Sequence, residues 1–327
     1  MKVLVTGANS LLGANVIAEL LRRDIAVRGM ARSAKKIPLR HERLEAWTGR
    51  ITEKSEVLSA VRGCDTVIHI AACTDPGSLR YADYTFVNVL GTRHILEAAK
   101  TYGVKRVILV SSANTLGYGT AEAPGTEALG FRYPFTRSHY ARSKHAAQTW
   151  ALQLPEQDRG DIIVVNPTFM IGAYDSRPSS GAIVLRGYKR KVVFVPPGGK
   201  NFIHVHDAAA AICNALTAGR NRECYLLANE NMSYREFYRR LNEVTHSRSL
   251  IITLPRTVLL TAGALGSLLA RLGMRTALRY NNMRILCVRN YYSSMKAVRE
   301  LGLPQTPVRE AISDAVAWFR EAGMLKS

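Results

Sequence analysis

The chain has 327 residues, 47% of them hydrophobic and 21% charged, with 45 Lys and Arg against 25 Asp and Glu for a formal net charge of +20. That balance excludes a disordered, collagenous or fibrous chain, and the length allows one large domain or two, each with a sizeable core. The five cysteines (Cys64, Cys73, Cys213, Cys224, Cys287) are widely spread without a C-x-x-C pair, so neither a disulfide framework nor a zinc module is expected. In chain order, a Val-Leu-Val run at 3–5 leads into Thr6-Gly7, residues 11–23 read as helix, and 25–27 return as a strand. The beat recurs as helix 55–61 and strand 66–70, helix 87–101 and strand 107–110, then helix 143–154 and strand 162–165. Strands alternating with helices predict right-handed βαβ units, hence an α/β fold with a doubly wound parallel sheet.

From about residue 174 the pattern loosens into short elements, with a β-branched run at 192–195 and a helix over 207–218. A helix over 233–244 opens on Ser233 with Glu236 three residues on, the capping-box spacing. The last helix opens at Thr306-Pro307, with Pro just inside its start, and runs through Trp318 and Phe319. Residues 1–173 are thus expected to form a nucleotide-binding domain of Rossmann type. Residues 174–327 form a smaller, mostly helical substrate lobe, some of whose segments return to the first domain.

Thr6 to Gly13 sits where the first strand hands over to the first helix. Gly7 permits a sharp turn, Gly13 permits close helix–strand packing, and the helix N-terminus offers free N–H groups to a pyrophosphate. Position 10, where this pattern often holds a middle glycine, is Ser. At the end of the second strand, a dinucleotide fold reads the adenosine ribose with an acid for NAD or a cation for the 2′-phosphate of NADP. The segment here is Arg32-Ser33-Ala34-Lys35-Lys36 with no acid, which favours NADP(H) while leaving NAD(H) open. Further on, Tyr140-Ala141-Arg142-Ser143-Lys144 places a phenol and an ammonium four residues apart on one helix face. A nearby ammonium is expected to lower the phenol pKa from about 10 and make it a usable proton donor or acceptor. Ser111-Ser112 ends the 107–110 strand, at the sheet edge where open α/β folds bind ligands.

Together with Asp65 to Ala72, Asn88-x-x-Gly91-Thr92, Asn166-Pro167-Thr168 and His204-Val205-His206-Asp207, these segments resemble the extended short-chain dehydrogenases/reductases of the NAD-dependent epimerase/dehydratase superfamily. The likeness spans residues 1 to about 210, and Leu301 to Pro304 with Trp318-Phe319 resembles the family's tail. It implies that Tyr140 exchanges a proton with the substrate oxygen, that Lys144 binds the nicotinamide ribose, and that Ser112 hydrogen-bonds the substrate, with Ser111 as the fallback one residue away. It also implies that Gly7, Ser10, Leu11, Leu12 and Gly13 line the pyrophosphate. Arg32 and Lys36 would meet the 2′-phosphate, Ala71 and Ala72 the ribose, and Pro167 and Thr168 the nicotinamide. The implied assembly is a homodimer built on the Tyr140 helix.

Asn166 to Gly172 is nearer to the dihydroflavonol reductase and 3-beta-hydroxysteroid dehydrogenase branch than to the nucleotide-sugar enzymes. The reading is therefore a carbonyl reductase or alcohol dehydrogenase acting on a fairly apolar small molecule. A nucleotide-sugar epimerase or dehydratase that retains its cofactor, and a non-catalytic NADP-binding sensor or scaffold, stay as alternatives. His204 and His206 read as a strand-to-helix corner, and no metal site is expected. The longest apolar stretch, 257–270, falls short of the ~20 residues of a spanning helix. It reads as core or as a lid over an apolar substrate ahead of contact with a membrane surface. The cations are dispersed through the helices without a nucleic-acid module, so no specific nucleic acid is expected. No signal peptide is read, and a cytoplasmic location is expected.

Overall fold

The computed structural model describes residues 1–74, 80–155, 160–272, 274 and 276–325. Its first half runs β1 (Lys2–Thr6), α1 (Leu11–Arg22), β2 (Ala26–Ala31), β3 (Leu44–Thr48), α2 (Lys54–Val61), β4 (Thr66–His69), α3 (Tyr81–Thr85), α4 (Gly91–Thr101), β5 (Arg106–Val110), α5 (His139–Gln153) and β6 (Asp161–Pro167). The second half continues with β7 (Phe169–Ile171), α6 (Ala182–Gly187), β8 (Val192–Val195), β9 (Gly199–His204), α7 (Val205–Asn214), β10 (Cys224–Leu227), β11 (Glu230–Ser233), α8 (Tyr234–Thr245), β12 (Leu250–Thr253), α9 (Arg256–Arg271), α10 (Tyr280–Leu286), β13 (Arg289–Asn290), α11 (Met295–Leu301) and α12 (Val308–Glu321).

Seven strands pair in the order β10-β6-β5-β4-β1-β2-β3, all parallel. Their side chains alternate between two apolar layers, as a sheet covered on both faces requires. Val3, Val5, Ile108, Val110, Ile163 and Val165 join the core under α1 and α7, whereas Leu4, Val107, Leu109, Ile162 and Val164 join the core under α2 and α4. The chain lays down β1, β2 and β3 in one direction, then returns to the other side of β1 with β4. Beyond the carboxyl ends of β1 and β4 therefore lies the switch point where such sheets hold ligands.

The smaller sheet places β9 between β11 and β13, with β7 pairing β9, and β12 pairs β8 separately. A third core, built on Phe202, Phe237, Tyr238 and Phe319, lies under α8 and α12. Residues 224–227 add β10 to the large sheet, and α7 packs on α1. Several elements differ from the sequence pattern. The helix carrying Tyr140 starts at His139 rather than 143, because Ser138 caps it and accepts from the Ala141 N–H. The segment read as one helix from residue 87 begins at Tyr81 and passes through a π-helical stretch, Phe86–Leu90. Pro307 stands at the N-cap of α12 rather than inside it. The Ser233–Glu236 capping box is formed as the spacing predicts.

Candidate active site

Four strand ends build the site. At the end of β1, Gly7 takes φ +71, and a Cβ there would stand 2.9 Å from the Ala71 amide nitrogen. Gly13 packs against the same turn, where a Cβ would fall 2.1 Å from the Gly7 carbonyl oxygen. Ser10 caps α1, its Oγ accepting from the Gly13 N–H at 3.1 Å and donating to the Gly7 carbonyl at 2.7 Å. The serine that stands in place of a glycine thus braces the turn. The N–H groups of Leu11 and Leu12 have no protein acceptor among the described residues, and both lie at the positive end of a 12-residue helix. That arrangement suits a pyrophosphate.

Residues 22–43 hold eight Lys and Arg, and the structure sorts them. Arg22 and Arg23 pair with Glu19, Arg28 with Glu45 and Arg43 with Asp24, while Arg40 donates to the Ile37 and Leu39 carbonyls. Arg32, Lys35 and Lys36 are exposed just past β2 and form no ion pair among the described residues. Because β2 lies beside β1 with Met30 opposite Thr6, these three cations follow the strand end next to the Gly7 turn. They are the part of the basic segment left for an outside anion.

Ser112 follows β5 and lines a small cleft of about 50 Å³ with Pro167, Thr168, Lys200, Asn201, Asn290 and Tyr292, among others. The Tyr140 phenol lies beside the Ser112 hydroxyl, close enough for that hydroxyl to favour its charged form. Ser111 has a buried Oγ without a partner among the described residues and is absent from that lining, so Ser112 is the serine that faces the cleft. Lys144, 2% exposed, donates from Nζ to the Val110 carbonyl at 2.7 Å. Burial pulls its pKa down to about 8.

Here the structure corrects one expectation. The sequence spacing predicts that Lys144 lowers the Tyr140 pKa, yet burial holds the phenol above its usual value, opposed by the neighbouring Ser112 hydroxyl. The physical reason is direction: the Lys144 ammonium is engaged by the end of β5 rather than by the phenol. A phenol held high keeps its proton at neutral pH.

A buried hydrogen-bond relay ties the cofactor turn to α5. Thr6 Oγ1 accepts from the Ile70 and Ala71 N–H groups and lies 2.8 Å from His69 Nδ1, while His69 Nε2 lies 3.2 Å from Thr92 Oγ1. Thr92 donates to the Asn88 carbonyl, Asn88 Nδ2 donates to Ser143 Oγ, and Ser143 donates to the Tyr140 carbonyl. On the other side, the buried Asn166 amide reaches the Ser112 carbonyl, Thr115 Oγ1 and Gln148 Oε1. Thr168 Oγ1 lies 2.7 Å from Asn201 Oδ1 and 3.1 Å from the Leu227 carbonyl, which couples the end of β6 to the smaller sheet.

Sequence reasoning did not single out Lys200, Asn201, Asn290 and Tyr292 as lining residues. They come from the second half of the chain, and nothing in their local pattern announces that β9 and β13 reach the end of β6. Lys200 lies 5.1 Å over the Phe169 ring, and burial pulls its pKa down to about 8. At the strand-to-helix corner, His204 Nδ1 accepts the His206 N–H as the cap of α7, and its Nε2 faces Asp314 at 3.1 Å. Both imidazole nitrogens of His204 are thus engaged by the protein, although the ligand atoms of His204, His206 and Asp314 lie within 4.8 Å of one another. Among the described residues, no helix is long and apolar enough to cross a membrane.

Comparison with known proteins agrees with this architecture. The model of the NAD dependent epimerase/dehydratase family matches residues 3–228. The Synechocystis sp. protein named "Putative dihydroflavonol 4-reductase" is 30% identical over 329 residues, covering 99% of this chain and 96% of its own. "Sterol demethylase protein B" of Methylococcus capsulatus is 31% identical over 343 residues, covering 99% of this chain and 100% of its own. Among solved structures, gox2253 is similar with a TM-score of 0.87 and 27% identity, covering 99% of both chains. The UDP-glucose 4-epimerase of Thermus thermophilus in complex with NAD shares the fold at a TM-score of 0.77 and 20% identity, over 98% of this chain and 100% of its own. With the glycine turn, the Ser112–Tyr140 contact and these relatives in agreement, the chain belongs to the NAD-dependent epimerase/dehydratase family and is an NAD(P)-dependent oxidoreductase.

Proposed function

We propose that the protein interconverts a ketone or aldehyde and the corresponding alcohol on a fairly apolar small molecule, with NADP(H) as the preferred cofactor. The observation that carries the reading is the juxtaposition of the buried Tyr140 phenol and the Ser112 hydroxyl, with Ser112 lining a cleft. When bound, the nicotinamide supplies or accepts the hydride. Leu11 and Leu12 would take the pyrophosphate on their free N–H groups, and Arg32 with Lys36 would take the 2′-phosphate. Gly7, Gly13, Ala71 and Ala72 would let the dinucleotide approach the backbone closely. Lys144 would hold the nicotinamide ribose, and Pro167 with Thr168 would bound the nicotinamide itself.

In the reducing direction, Ser112 Oγ and the Tyr140 phenol both donate to the substrate oxygen as negative charge develops on it. Tyr140 then gives up its proton to that oxygen and leaves the alcohol. Oxidation runs the same steps backwards, with Tyr140 as proton acceptor. The names of the Synechocystis protein and of the partly aligned "Dihydroflavonol 4-reductase" of Zea mays support reduction over epimerisation. The NADP preference rests on the absence of a carboxylate in residues 32–36 and on the free cations there.

Titration of the wild type and of Arg32→Ala with NADP(H) and NAD(H) tests the cofactor reading. NADP(H) should bind tighter than NAD(H), and Arg32→Ala should weaken NADP(H) by roughly tenfold or more while leaving NAD(H) unchanged. Equal affinities in the wild type, or an unaltered ratio in the variant, contradict it.

A further inference from the structure

Helix α9 is built inside out. Along its 16 residues the two glycines are the buried positions and pack on α10 and the segment before it: a Cβ on Gly266 would stand 1.7 Å from the Leu278 carbonyl oxygen, and one on Gly263 2.9 Å from Met283 Cγ. Val258, Leu265, Leu268 and Leu269, with Leu272 at its C-cap, are exposed instead, Leu265 to 59% and Leu272 to 73%, while Leu259 and Leu260 are half-buried. Spaced three, four and seven residues apart from 258 to 272, the exposed ones form one outward stripe. The stripe is therefore not packed in a core, against the reading of a core helix from sequence. Just upstream, β12 and β8 pair Leu250 with Val192 and Ile252 with Phe194, and all four of these side chains are exposed as well. Only Leu254 and Pro255 separate that strand pair from α9.

The charge of the chain segments that build this surface is one-sided. Residues 244–299 contain nine Lys and Arg and no Asp or Glu, and residues 176–206 contain six and none. Arg256, Arg279 and Arg284 flank the α9–α10 hairpin and form no ion pair among the described residues. An exposed apolar stripe with cations on its flanks and no acids is complementary to an anionic lipid surface, whose headgroups meet the cations while the acyl region takes the apolar side chains. The hairpin also borders the catalytic half of the fold, because the Arg284 guanidinium lies 4.8 Å over the ring of Tyr133 in the segment leading to α5.

We propose that the exposed face of α9 docks the protein peripherally on an anionic phospholipid bilayer. This gives a fairly apolar substrate a lipid source, a corollary that rests on the function proposed above, whereas the docking itself does not.

The test is sedimentation of the full chain with vesicles of phosphatidylglycerol and phosphatidylcholine, against vesicles of phosphatidylcholine alone, for the wild type and for Leu265→Glu combined with Leu268→Glu. Both side chains are more than half exposed, so the double variant should melt at the wild-type temperature. The wild type should bind the anionic vesicles at least tenfold more strongly than the neutral ones and lose that binding as salt is raised. The double variant should lose at least tenfold on the anionic vesicles. Absence of wild-type binding, equal binding to both vesicles, or undiminished binding by the variant overturns the proposal. It is equally overturned if the double variant turns a wild-type dimer into a monomer, which assigns the face to a second copy. None of these readouts involves turnover, so docking and the proposed chemistry fail separately.

Discussion

Thr6, His69, Thr92, Asn88 and Ser143 are each almost inaccessible to solvent, and each directs a polar atom at the next. Within that relay, burial and the nearby Lys144 charge pull the His69 pKa down to about 3. The imidazole stays neutral in the folded chain at a pH where the unfolded chain, with an ordinary value of about 6.5, takes up a proton. Its contribution to stability is therefore present above about pH 6.5 and is lost as pH falls toward 3, at roughly 1.4 kcal/mol per pH unit, or about 2 kcal/mol by pH 5. Urea denaturation at pH 7 and pH 5 should show His69→Gln less stable than the wild type at pH 7 but losing about 2 kcal/mol less on acidification. An identical loss in both would show that His69 does not titrate on unfolding. Tyr140, Lys144, Ser112 and Gly7 were legible in the sequence because each sits in a short pattern tied to a strand end. The direction of the Tyr140 shift was not, since it is set by burial, while the Lys144 ammonium is taken up by the Val110 carbonyl, 34 residues away.

Helix and strand identities were read correctly where apolar periodicity was strong and failed where it was weak. β3 is an edge strand, Leu-Glu-Ala-Trp-Thr, with no fully buried residue, so it offers no alternation to read. β10 lies well inside the second half of the chain, yet pairs with β6 to complete the large sheet. Its placement is a long-range fact that a local pattern does not carry. The polar run Thr136 to His139 hid the start of α5, although Ser138 is a good cap. The turn between β1 and α1 was fully legible, and its geometry makes a sharp prediction. Because a Cβ on Gly13 would fall 2.1 Å from the Gly7 carbonyl oxygen, Gly13→Ala should open the turn, destabilise the fold by about 1–3 kcal/mol and abolish NADP(H) binding measured by calorimetry. Wild-type affinity in that variant would mean that the turn does not hold the cofactor.

At the scale of the whole molecule, the +20 charge separates into parts with different uses. Of the eight cations of residues 22–43, four are ion-paired internally and Arg40 donates to backbone carbonyls, which leaves Arg32, Lys35 and Lys36 without an ion pair among the described residues. The two acid-free stretches of the second half carry fifteen more; Lys200 lines the cleft and Lys296 and Arg299 pair with Glu223 and Glu300, while Arg256, Arg279 and Arg284 flank the exposed apolar stripe. Composition showed the excess but not this division, which depends on which side chains the fold pairs and which it exposes. The central claim is that this molecule is a reductase that consumes its cofactor through Tyr140. The most direct test follows the near-ultraviolet absorbance of NADPH with an apolar carbonyl substrate, for the wild type and Tyr140→Phe, with the cofactor affinity of each measured alongside. The account predicts a net loss of absorbance matching the alcohol formed, slowed by about 10²–10⁴-fold in Tyr140→Phe with cofactor affinity unchanged. Near wild-type turnover in the variant, or interconversion of a nucleotide sugar without net absorbance change, would contradict it.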